Sequence, residues 1–159
     1  STVPTITGGF TTAITAMGPG DTVNRYVDLK NTGNLDGANP TLQITTSDTN
    51  TLVESATAGL QITISGCSIA WTAAGVCNET TTAVLASTPV KTLKTAAQTI
   101  VLRTNAAGVT HFLKISTNLP AGSENIVNGV IPGTSILNQT ATLTWAFVIE
   151  MRAGITTNS

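Results

Sequence analysis

The chain has 159 residues, a length that suits one domain with a real core or one domain plus an extension. Charged residues make up only 9% and hydrophobic ones 41%, which excludes a disordered polar segment. The net charge of −1 supplies no field for nucleic acid or an anionic membrane surface, and so little charge leaves little to hold copies apart.

Thirty-two residues are threonine, a β-branched type that suits a pleated surface and wets an exposed face without charge. From the start, Ser1–Thr7 is strand-like and stops at Gly8-Gly9, a joint before Phe10. Pro4 cannot donate to a ladder, which argues against a central place in the chain's own sheet. Such an arm can fold back, dangle or reach a neighbour. The start at Ser1 fits a mature exported product and equally the removal of an initiator Met.

Alternation then dominates. Val23, Val27 and Leu29 oppose Asn24, Asp28 and Lys30; Leu42 and Ile44 alternate with Thr41 and Gln43. Leu60, Ile62 and Ile64 alternate with Gln61, Thr63 and Ser65. Thr92–Arg103 admits a short helix, weakened by its threonines and by Ile100-Val101. Leu113, Ile115 and Leu119 share a parity. The last run sets Leu143, Trp145, Phe147, Ile149 and Met151 against Thr142, Thr144, Glu150 and Arg152. Turn signals separate the runs, among them Gly18-Pro19-Gly20-Asp21, Asn31-Thr32-Gly33-Asn34 and Pro120-Ala121-Gly122. Short one-sided strands between turns predict an all-β, two-sheet sandwich or jelly roll, with no internal repeat. No apolar run approaches the roughly 18–20 residues of a membrane span.

Candidate chemistry is sparse. Cys67 and Cys77 have a spacing that fits no common zinc pattern; a disulfide across a hairpin is expected, with two independent thiols as the alternative. The single histidine, His111, is in phase with Leu113 and reads as a structural residue. The acidic residues are dispersed, and no His-Glu-x-x-His, phosphate loop or calcium loop occurs, so no metal, cofactor or catalytic residue is expected. Trp145, among Leu143, Phe147 and Ile149, reads as core; Trp71, between the cysteines, reads as packing or as an exposed contact surface. Asn78-Glu79-Thr80 and Asn138-Gln139-Thr140 are candidate glycosylation sites at Asn78 and Asn138.

The stretch Met17–Arg25 with its Pro-Gly-Asp turn, followed by Asn31-Thr32-Gly33-Asn34-Leu35-Asp36, resembles the camelysin/TasA family. The block Gly59–Ile64, Cys67-Ser68-Ile69-Ala70-Trp71, Cys77, Thr80–Ser87 and His111–Pro120 is similar to TasA-like secreted proteins, and the resemblance covers about residues 10–150. It implies a jelly roll and an exported, extracellular or biofilm-matrix filament subunit, as in the related archaeal bundling pilins. The partner implied is another copy of the same chain, with other matrix components as further candidates and no membrane insertion. In donor-strand complementation the leading segment of one copy enters a groove of the next. Carried over by position, the donor is Ser1, Thr2, Val3, Pro4, Thr5, Ile6, Thr7 and Gly8, with Val3 and Ile6 as its apolar contacts. The acceptor groove is expected to include Leu143, Trp145 and Phe147. The expected units are a donor arm with hinge over 1–9, a jelly-roll domain over 10–152 and a tail over 153–159. Ser-Thr-Val-Pro-Thr replaces the family's usual start, and the tail has no family counterpart. Two other readings stand beside this one: a monomeric surface adhesin domain, and a camelysin-type secreted metalloprotease.

Overall fold

The structure is a computed structural model, and it describes residues 5–7, 14, 17–124, 129, 136 and 138–151. The expected donor residues Ser1, Thr2, Val3, Pro4 and Gly8, and the tail 153–159, lie outside the described residues.

Two antiparallel sheets account for most of the regular structure. The larger has the order β1 (Thr5–Thr7), β2 (Thr22–Lys30), β7 (Thr110–Asn118), β4 (Gln61–Cys67) and β5 (Thr81–Pro89). The smaller has the order β6 (Gln98–Thr99), β3 (Thr41–Thr45) and β8 (Thr144–Val148). Both contribute to one core. Val27, Leu29, Ile62, Ile64, Leu113 and Ile115 come from the larger sheet and Leu42, Ile44 and Phe147 from the smaller, all buried in a single cluster. Period-two alternation places these residues on one face of each strand, so pairing in register buries them together. The result is an all-β sandwich, as the alternation predicted.

Turn chemistry fixes the ends. In Gly18–Asp21 the Asp21 amide donates to the Gly18 carbonyl at 3.0 Å, and Gly20 at φ 89° takes the left-handed conformation a type II turn requires there. Gly20 also donates to the Leu119 carbonyl, which ties the turn to the end of β7. Asn31 accepts from the Gly33 amide and donates to the Leu35 carbonyl, so its side chain holds the reversal after β2.

Two short helices cross between the sheets. α1 (Thr51–Glu54) is capped by Asn50, whose side chain accepts from the Leu52 amide. α2 (Val90–Thr95) follows Pro89 and buries Val90 and Leu93. The helix expected within Thr92–Arg103 thus starts two residues earlier and stops at Thr95, after which Gln98–Thr99 is strand and Ile100 is buried. Lys94 on α2 pairs with Glu54 on α1 and donates to the Asp48 carbonyl.

Candidate functional site

The leading segment occupies a strand position in its own chain. Thr5, Ile6 and Thr7 pair antiparallel with Lys30, Leu29 and Asp28 and so form the edge of the larger sheet beyond β2. Leu143, Trp145 and Phe147 belong to the other sheet: Trp145 and Phe147 are in β8 and Leu143 precedes it. Phe147 is buried, and Leu143 and Trp145 are half-buried against the core. Just after β6, the Val101 amide donates to the Val84 carbonyl of β5 at 3.0 Å, which brings the β6 side of the smaller sheet to the β5 edge. With β3 between them, β8 falls at the flank of the smaller sheet away from β5. Among the described residues, β8 has a sheet partner only in β3, so its outer edge faces that flank. An edge strand is where the strand of another chain can add to a sheet.

The outer face of the larger sheet carries a second feature. Across β2, β7 and β4, Asp28, Phe112 and Cys67 stand in register, as do Tyr26, Lys114 and Ser65. These alternate with the core residues and point away from them. Cys67 is bonded to Cys77 with a Cα–Cα distance of 5.8 Å. The expected disulfide is present, inside the connection between β4 and β5 and not across paired strands, since Cys67 pairs in register with Thr81. Residues 68–80 therefore fold over the outer face. The connection carries its own turn: the Gly75 amide donates to the Thr72 carbonyl and the Val76 amide to the Thr72 hydroxyl. Gly75, at φ 75°, takes the left-handed conformation that favours glycine, and it packs against the Tyr26 hydroxyl. Trp71 is half-buried, and its indole N–H donates to the Phe112 carbonyl at 3.0 Å. The Lys114 ammonium sits 4.4 Å from the centre of the Trp71 ring, and the Tyr26 ring lies 6.2 Å away at 50°. Between loop and sheet an open groove of about 330 Å³ is lined by Tyr26, Asp28, Trp71, Thr72 and Phe112, among others. Alternation set Asp28 outward, and Trp71 read as packing or as an exposed contact surface; no sequence signal joined the groove residues.

The remaining candidates are scattered. His111 is buried near Asn31, Leu102, Thr104 and Ile149. Burial lowers its pKa, and Arg103 adds to that. Asn78 and Asn138 are both exposed, Asn138 with φ 59°. Among the described residues, no three of His, Cys, Asp and Glu gather as a metal-binding group. Among them too, no helix is long and apolar enough to cross a membrane. No protein-family model matches this sequence, and no curated protein does.

Proposed function

We propose that this chain is the structural subunit of an extracellular filament of the camelysin/TasA kind, built on a jelly roll and joined head to tail by donor-strand complementation. The segment Ser1–Gly8 of one copy enters the flank between β2 and β8 of the next. The observation that carries this reading is the pairing of Thr5–Thr7 with β2. A leading segment that fits this edge in its own chain also fits it in an identical neighbour, because the backbone ladder is the same. Leu143 and Trp145, half-buried beside that flank, offer apolar surface to the incoming strand. The threonine-rich, charge-poor sequence favours association, and the disulfide fits an oxidising compartment outside the cell.

Deletion of residues 1–8 is the direct test. The core formed by the described residues lies between the sheets, so the truncated chain is expected to stay folded and monomeric and to give no filaments by electron microscopy. Filaments from the truncated protein would overturn the reading.

A further inference from the structure

We propose that the groove between the disulfide loop and the outer face of β2 and β7 binds a neutral carbohydrate, as one or two sugar rings of a glycan. Its volume of about 330 Å³ lies at the lower end of the roughly 300–1,000 Å³ of small-molecule sites. Its walls are built in advance. Trp71 is held by its bond to the Phe112 carbonyl, by the disulfide that closes its loop and by the turn at Thr72–Val76. Tyr26 forms a second aromatic wall, inclined to the first.

The charges select the ligand class. Asp28 lines the groove, and no hydrogen bond or ion pair engages its carboxylate among the described residues. Among the described residues it is an acceptor without a protein partner, and it lines the groove together with Tyr26 and Trp71. That set alone would suit a cation, but Lys114 already places an ammonium over Trp71. An added cation would share the Trp71 ring with the Lys114 ammonium, and an added anion would meet Asp28 in the groove wall. A neutral ring with an apolar C–H face and hydroxyl donors satisfies all of them. The C–H face packs on the electron-rich aromatic face, while hydroxyls donate to Asp28 and exchange hydrogen bonds with Thr72. Sugar binding here is independent of filament assembly, since the groove lies on the outer face of the sheet and not at the β8 edge.

Saturation-transfer NMR with glucose, galactose, mannose and N-acetylglucosamine, each at millimolar concentration, tests this on the intact chain. At least one sugar should receive saturation and shift the Trp71 indole resonance, assigned by its loss in Trp71→Phe. Asp28→Asn and Tyr26→Ala, both on the outer face, should keep the wild-type circular dichroism. Each should weaken binding about tenfold or more, the loss expected when a charge-assisted hydrogen bond or an aromatic wall is removed. No saturation of any of the four sugars, or unchanged affinity in both variants, overturns the proposal. So does a Trp71 shift with tetramethylammonium and with none of the sugars, which assigns the groove to a cation.

Discussion

His111 places a titratable ring on the buried side of β7. It shares the inward parity of β7 with Leu113 and Ile115, and it is buried. Burial chiefly lowers its pKa below 6.5, the positive charge of Arg103 acts in the same direction, and a backbone hydrogen bond with Thr104 opposes them. The folded chain therefore holds the imidazole neutral at a pH where the unfolded chain already binds a proton. Stability from this group is fully present above about 6.5, falls as pH drops below that value, and is fully lost below the folded-state pKa. Chemical denaturation at about pH 7.5 and about pH 5 should show a larger loss for the wild type than for His111→Gln, which cannot titrate. Parallel losses would remove His111 from the account. Its parity with Leu113 made the burial legible in the sequence. The role of Gly59 was not legible: a Cβ there would meet the carbonyl oxygens of Leu52 and Thr51 at 2.7 and 2.8 Å, a clash created by the path of α1 into β4.

At the scale of elements, the strands with clear alternation were readable, while α1 was missed and α2 was anticipated only in part, within Thr92–Arg103. Ile62 and Ile64, or Leu113 and Ile115, repeat every second residue along strands long enough to show it. α1 has four residues and α2 six, less than two turns, so no helical period emerges; Asn50 and Pro89 are the only local signals. The outer groove was hidden for another reason. Tyr26 and Phe112 meet through sheet pairing, and Trp71 joins them through a loop that the disulfide folds over the sheet. That loop lies outside the core, so its closure and the fold are separable. Replacing Cys67 and Cys77 together by Ser should lower stability by about 2–3 kcal/mol, the chain-entropy value for a loop of this length. Denaturant unfolding measures this. The two-sheet fold should survive by circular dichroism, while Trp71 fluorescence shifts as the loop loosens. A cooperative collapse of the fold would mean that the loop supports the core as well.

For the whole molecule, the question is whether β1 stays home. Residues 8–21, fourteen in all, join β1 to β2. A chain of that length reaches about 20 Å as a coil, and the six residues from Asp28 back to Thr22 along β2 also span about 20 Å. The link therefore closes on its own domain without strain, and at the millimolar effective concentration of short tethers the closed form holds the advantage in dilute solution. A three-residue ladder exchanged for an identical one gains nothing by itself. Assembly needs what the rest of Ser1–Gly8 meets along the flank of a neighbour, where β8 pairs with β3 alone among the described residues and Leu143 and Trp145 stand half-buried. The register Ile6↔Leu29 makes the alternatives separable. With Ile6→Cys and Leu29→Cys, paired positions lie close enough for a disulfide. Oxidised dilute protein should run as an internally linked monomer on a non-reducing gel. Oxidised filaments should run as a covalent ladder that collapses to monomer on reduction. Filaments that yield only the internally linked monomer would mean that the leading segment never leaves its own sheet, and that copies join by some other surface.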